Sequence, residues 1–388
     1  MKILFVSSRN IYNSTGEIRL VKNRANVLSD DFGIMTDFIC YRNKEVLDNK
    51  QEIIDERSDF TLFSYSMTNP VSIIIAKKLV VKKVLSVVKN YDAVILSGEF
   101  VLNLVKKIKS KTNVPVIYDI HGVCDELREF KSNSFLVNLK RKLLFSMFQY
   151  LEKKYINKFD AAFAVTEELK EHVSEKYNAD NLKYFIVPCA KRKYKLDTEL
   201  ITKNRKIYRD KYNINNDEIV FIYSGGYSPW QCVDETIEIF NEFNKRNKNS
   251  KLLILSGDNE KIDTKGNKNI IKDSVPFNEV DATLCAGDYA FMLRGDFVTN
   301  HVAFPNKYCE YLASGMRVIS SPYLYTISKS IKNNNVGLVL DENTDIESIY
   351  KYVEKTIHDK VDFEIRQKML DEMSFDETLK PFANYLGV

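Results

Sequence analysis

The 388-residue chain reads as an α/β protein of two doubly wound domains. Three observations predict this. The length exceeds one ordinary α/β domain and suits two, each burying its own core. Short β-branched runs alternate with longer amphipathic stretches from end to end, the pattern of parallel βαβ units. Most of the 13 glycines stand at the ends of those runs, six of them just after a predicted strand.

The first series of predicted strands is KILFVS (2–7), IMTDFI (34–39), DAVILS (92–97), VPVIYDI (114–120), AAFAVT (161–166) and YFIVP (184–188). Residues 45–65 look hairpin-like and carry no readable chemical signature. Residues 189–205 are polar and aperiodic, and are read as the interdomain linker. The second series is IVFIYS (219–224), KLLILS (251–256), YAFMLR (289–294), RVISS (317–321) and VGLVL (336–340). The first domain is expected to span 1–190, completed by a C-terminal helix at about 375–388, and the second 206–374. Gly98, Gly122, Gly225, Gly226, Gly257 and Gly295 each follow a predicted strand closely, at the carboxyl edge where open α/β sheets bind ligands. Two such edges facing each other would form one cleft; the plainer alternative is that these glycines only make tight turns.

Composition excludes several classes. With 44% hydrophobic and 28% charged residues the chain has neither a disordered nor a fibrous composition. The longest apolar runs, such as VSIIIA at 71–76, are far too short to span a bilayer. The opening MKILFVSSRN enters a strand after one Lys and lacks a cleavage site, so it is not read as a signal peptide and a cytoplasmic location is expected. Cys40, Cys124, Cys189, Cys232, Cys285 and Cys309 stand singly, without zinc spacing, and are read as reduced. No DxD, HExxH or GxGxxG pattern occurs, so no metal or dinucleotide cofactor is expected.

The most informative segment is FPNKYCEYLASGMRVISSP, residues 304–322. Pro305 suits a helix start, Gly315 a helix stop, and a strand follows. The exposed amides of that helix N-terminus suit the diphosphate of a nucleotide-activated sugar. Asn306 and Lys307 add a donor and a charge, and Glu310 lies one turn on, where a carboxylate can accept from both hydroxyls of a ribose. From spacing alone Glu310 also reads as an ordinary solvated helical residue.

This stretch resembles the donor-site motif of family 4 glycosyltransferases of the GT-B fold, in a PxKxxEYLAxGxxVI form, and the resemblance runs along nearly the whole chain. MKILFVS, the loop NIYNSTG ending at Gly16 and a helix with Arg19 are similar to the family's opening. VIYDIHG matches the strand that delivers its active-site histidine, FIYSGGYSPWQCVDETIEIF its first C-domain strand, loop and helix, and LLILSGD the next strand. FDETLKPFANYL is similar to the helix that returns to the N-domain. The resemblance implies two Rossmann-like domains facing a central cleft, a nucleoside diphosphate sugar donor, no metal, and retention of anomeric configuration. It makes Glu310 the ribose ligand, and His121, of four histidines the one that follows a predicted strand, the group that contacts the transferred sugar. Asp119 and Asp125 flank His121 and are candidates to orient its ring, with Asp119 expected to point to the opposite side of its strand. The backbone at Gly16, Gly225 and Gly226 would face the diphosphate or acceptor.

The chain departs from the family at three places. An acidic residue expected eight positions before Glu310 is Val302, and the usual Arg and Lys after the first C-domain strand are replaced by Tyr227 and Gln231. Arg294 and Lys307 are therefore the candidates to neutralise the leaving diphosphate, Arg294 having Asp296 as an alternative partner. These departures also motivate a degenerate binding subunit as an alternative, beside a sugar-nucleotide epimerase of the same fold.

Net charge is only +4, yet residues 71–158 hold 17 Lys and Arg against 7 Asp and Glu. Stretches such as AKKLVVKKVLSVVKNY and NSFLVNLKRKLLFSMFQYLEKKY combine basic clusters, Lys140, Arg141 and Lys142 the densest, with apolar stripes at helical spacing. They read either as interfacial helices attracted to an anionic membrane surface or as solvated helices over a core. No nucleic-acid module is recognisable. The expected acceptor is a glycan or lipid-linked sugar of cell-surface polysaccharide synthesis.

Overall fold

The computed structural model describes residues 1–8, 16–44, 59–66, 69–190, 195–341 and 346–388. It divides into two compact units, Met1–Lys193 with Met373–Val388, and Tyr194–Glu372.

The first unit is built on seven strands, β1 (Lys2–Ser7), β2 (Met35–Asn43), β3 (Phe60–Tyr65), β4 (Ala93–Ser97), β5 (Val116–Asp119), β6 (Ala161–Ala164) and β7 (Lys183–Ile186). All pairings are parallel, in the order β3-β2-β1-β4-β5-β6-β7. Helices cover both faces, which is why the central strands β1 and β4 are buried almost throughout. The order reverses between β1 and β4, and that switch point opens a crevice at the strands' carboxyl ends. Gly98 stands in it with φ +87°, where a Cβ would lie 2.2 Å from Ser8 Oγ, so the two loops touch only because the residue is glycine.

The C-terminal segment completes this unit. Phe375, Leu379 and Phe382 are fully buried among Ile3, Phe5, Phe163 and Phe185. The Phe382 ring meets those of Phe163 and Phe185 edge-on at 4.7 and 5.5 Å.

The second unit repeats the plan with six parallel strands, β8 (Ile219–Ser224), β9 (Ser250–Leu255), β10 (Ile270–Asp273), β11 (Tyr289–Met292), β12 (Arg317–Ser320) and β13 (Gly337–Val339). Their order is β10-β9-β8-β11-β12-β13, with the switch point between β8 and β11. Phe221 of β8 centres an aromatic core, with Tyr289 and Phe291 stacked beside it at 5.4 and 5.2 Å.

Three expectations are corrected. Phe60–Tyr65 is a strand parallel to β2, so that part of 45–65 is not a hairpin; residues 45–58 lie outside the described ones. Ile270–Asp273 is a further strand, β10, and an edge like β3; with Ile270 its one buried residue it lacks the continuous apolar run that marks a central strand. The stretch 189–205 is not linker throughout, because the helix Thr198–Lys211 starts within it and belongs to the second unit. That helix is held by polar anchors rather than an apolar stripe. Arg205 and Arg209 both bind Asp288, at 2.6 and 2.8 Å, and buried Arg209 also donates to the carbonyls of Ala286, Asn215 and Glu218.

Candidate functional site

At the second switch point, the loop after β8 carries Gly225, Gly226, Tyr227 and Gln231, and the loop after β11 carries Arg294 as its second residue. The short helix Lys307–Ala313 supplies Lys307 and Glu310. Lys307 Nζ is enclosed here: it donates to Gln231 Oε1 at 3.0 Å and lies 4.8 Å from the centre of the Tyr223 ring. Tyr223, in turn, donates to the Gly226 carbonyl at 2.7 Å and to Gln231 Oε1 at 3.2 Å. Gly225 has φ +147°, and a Cβ there would fall 2.3 Å from Lys307 Nζ, so the glycine makes room for the ammonium.

Arg294 is buried, with its guanidinium donating to the Leu293 carbonyl and its backbone amide to Ser321 Oγ. Asp296 is not its partner: that carboxylate takes His301 at 2.7 Å. Among the described residues neither Arg294 nor Lys307 makes an ion pair. Burial, and then the charge of Arg294, push the Lys307 pKa well below the ordinary lysine value, against a pull from Glu310. Burial likewise lowers Arg294, opposed by Tyr223, Cys232 and Tyr311. Two enclosed cations that repel each other form a strong attractor for an anion.

The other expected residues fall around this pair. Pro305 and Asn306 precede the short helix, which starts at Lys307 rather than Pro305; Asn306 is its cap residue, without a side-chain cap bond. Tyr227 is turned to its own loop and helix, its hydroxyl donating to Asp234 and its amide accepted by Asp258. Val302 is buried. Tyr223 and Tyr311, whose hydroxyl accepts from the Ser224 amide at 3.0 Å, read as core in the sequence because their positions are apolar ones; only the phenol oxygens aimed at the edge give them away.

In the first unit His121 follows β5, largely buried. Its Nε2 lies 2.6 Å from Asp119 Oδ2, which corrects the expectation that Asp119 points away. Residues two apart along an extended chain project to the same side, so the period of the strand itself brings Asp119 and His121 together at its end. Arg24, from the helix Gly16–Phe32, donates to the other oxygen at 2.6 Å. Burial alone would raise the Asp119 carboxyl, but the charges of His121 and Arg24 and the hydrogen bonds from both hold it well below the usual range. Asp125 does not orient His121; it binds Lys176. Gly16 is the first residue of its helix, and the rest of its loop lies outside the described residues. Arg24 was legible only as a charge at a core-facing helical position, which signals a buried partner.

No group of three or more potential metal ligands is assembled among the described residues. Nor, among them, is any helix long and apolar enough to cross a membrane. A hollow of roughly 830 Å³ lies beside the helix Val233–Arg246 around Asn241, Asn244 and Asn267 and gathers none of these groups.

Residues 204–373 match the family model described as "Glycosyl transferases group 1". Among curated proteins none matches the chain in sequence. Solved structures match it end to end. HepE from Anabaena, crystallised with UDP, is 13% identical with a TM-score of 0.71, covering 100% of this chain and 99% of that one. WaaG, a glycosyltransferase involved in lipopolysaccharide biosynthesis, is 14% identical at 0.66, with 99% of both chains covered. A glycosyltransferase from Rickettsia africae is 14% identical at 0.70, covering 99% and 97%. The fold is GT-B, two Rossmann-like α/β domains in one chain.

Proposed function

We propose that the chain is a glycosyltransferase that moves a sugar from a nucleoside diphosphate sugar to a glycan or lipid-linked acceptor in cell-surface polysaccharide synthesis. The observation that carries this is the pair of basic side chains, Lys307 and Arg294, brought together at the switch point of the second sheet with no ion pair among the described residues. A diphosphate supplies the charge they lack, and Glu310, one turn beyond Lys307, is assigned to the ribose hydroxyls. The group 1 family match, which spans these residues, supports the same reading, as does the resemblance to family 4 enzymes. All six cysteines are free, which fits a reducing cytoplasm.

The reaction breaks the bond between the anomeric carbon and the diphosphate and forms one from that carbon to an acceptor hydroxyl oxygen. The hydroxyl proton passes to the departing phosphate, so that a front-face displacement retains configuration without a carboxylate nucleophile. Lys307 and Arg294 stabilise the charge that develops on the leaving group. His121, held by Asp119, is assigned to the hydroxyls of the transferred sugar.

Glu310→Gln tests the donor assignment. A charged hydrogen bond contributes roughly 1.5 to 3 kcal/mol, so nucleotide affinity should fall about tenfold or more with the fold intact. Deoxyribose analogues should lose affinity in the wild type and little further in the variant. His121→Ala should instead lower turnover more than affinity for the bare diphosphate. Unchanged nucleotide affinity in a folded Glu310→Gln protein removes the ribose assignment.

A further inference from the structure

The helix Phe135–Tyr155 has two apolar faces. One holds the domain: Phe145 and Phe148 are buried with Cys124, and Glu152, the only acidic residue of the helix, is buried beside them, accepting from Tyr118 and Tyr177. The other comprises Leu136, Leu139, Leu143, Met147 and Tyr150, which recur at intervals of three and four residues and are 38 to 74% exposed. At about 100° per residue this stripe lies roughly opposite the buried one. An apolar stripe on the solvent side does nothing for the fold, and five large side chains in a row exceed the scatter of single exposed hydrophobics. Phe135, also exposed, extends it at the N-terminal end.

Lysines flank the stripe. Lys140 lies on one side, Lys142 and Lys153 on the other, and Lys154 at the far end, where it donates to Tyr150. Arg141 is not part of this display, since its guanidinium turns inward to the Phe130 carbonyl. The helix Pro70–Val87 presents a second face of the same kind: it has no acidic residue, exposes Val71, Ile74, Ile75 and Leu79, and carries Lys77, Lys78, Lys82 and Lys83. The two helices meet at Phe100, whose ring packs edge-on against Phe148 at 5.2 Å and takes Lys77 over its face at 4.8 Å.

We propose that the exposed face of Phe135–Tyr155, with the similarly composed face of Pro70–Val87, docks the protein on an anionic lipid surface, with the leucine stripe in the interfacial layer and the lysines on the headgroups. Charge decides the occupant. Pairing two copies through this face would set lysine against lysine, whereas an anionic bilayer meets both the apolar stripe and its basic border. The inference adds a partner to the proposed transferase, and its test needs neither nucleotide nor turnover.

The full chain is sedimented with vesicles of phosphatidylcholine alone and with 30 mol% phosphatidylglycerol (about a third anionic lipid, within the range that attracts basic surfaces). The wild type should pellet with the anionic vesicles at low salt, and release as salt rises. Leu136→Ser with Leu143→Ser should weaken binding at least tenfold, as should Lys140→Gln, Lys142→Gln and Lys153→Gln together. All these positions are exposed, so thermal melts should match the wild type. Glu310→Gln should bind vesicles normally, which separates this test from the donor reading. Wild type left in the supernatant, or leucine variants that bind unchanged, overturns the proposal. So does a dimer by light scattering that the leucine variants convert to monomer, because the face would then be a self-interface.

Discussion

Asp119 ties three parts of the first domain together: its strand, His121 in the loop beyond, and Arg24 on the first helix. Both partners lean on a carboxylate that must stay ionised, and burial makes the arrangement costly to break from one side. Asp119→Asn leaves the Arg24 charge buried without its counter-charge, a loss of about 3 to 5 kcal/mol at neutral pH. The pH dependence has a definite sign. A carboxyl whose folded pKa is lowered contributes stability that is fully present above its unfolded value of about 4 and is lost as pH falls from there toward the folded value. The gap between wild type and Asp119→Asn, measured by urea melts from pH 7 downward, should therefore hold steady to about pH 4 and narrow only below it. A gap that is constant to pH 2 contradicts an ionised Asp119 as the source. For the reaction, Asp119 is a positioning residue: the variant should lower turnover with little effect on nucleotide affinity.

Among elements, the C-terminal segment is the clearest case of sequence pattern carrying through to packing. FDETLKPFANYL presents Phe375, Leu379, Phe382 and Ala383 at helical spacing, and all four are buried in the first domain's core. Phe382→Ala should cost about 3 to 5 kcal/mol through lost burial and the cavity between Phe163 and Phe185. The chain's single tryptophan, Trp230, lies in the second unit, so the loss should move the circular-dichroism transition more than the fluorescence transition. Equal shifts would contradict a purely local effect. Central strands such as β1, β4 and β8 were legible because burial on both faces leaves continuous apolar runs. β10 was not, because only two adjacent apolar residues, Ile270 and Ile271, stand between polar ones, whereas the edge strands β7 and β13 keep longer apolar runs; β3 lies in the stretch read as hairpin-like. The helix Thr198–Lys211 escaped for a related reason, its anchorage being arginine to Asp288 rather than an apolar stripe.

Over the whole molecule, each sheet reverses its strand order once, and the switch point of the second explains why Gly225 and Arg294, 69 positions apart in sequence, both lie beside Lys307. The residues singled out in sequence around Lys307 do gather there, but their mutual contacts were not legible: that Gln231 would accept from Lys307, or that Gly225 would make room for it, depends on how two loops fold over one edge. The central claim is that this edge takes a nucleoside diphosphate, and calorimetric titration of a panel of nucleoside diphosphates in buffers of different ionisation enthalpy tests it most directly. Lys307 has its pKa pushed down by burial and by Arg294, and an incoming diphosphate supplies the counter-charge that raises it again, so binding should draw protons from solution at alkaline pH. The account predicts that at least one diphosphate binds with proton uptake, and that Lys307→Met binds it at least tenfold more weakly without that uptake. A wild type that binds none of them, or a folded Lys307→Met protein with unchanged affinity and unchanged proton uptake, would contradict it.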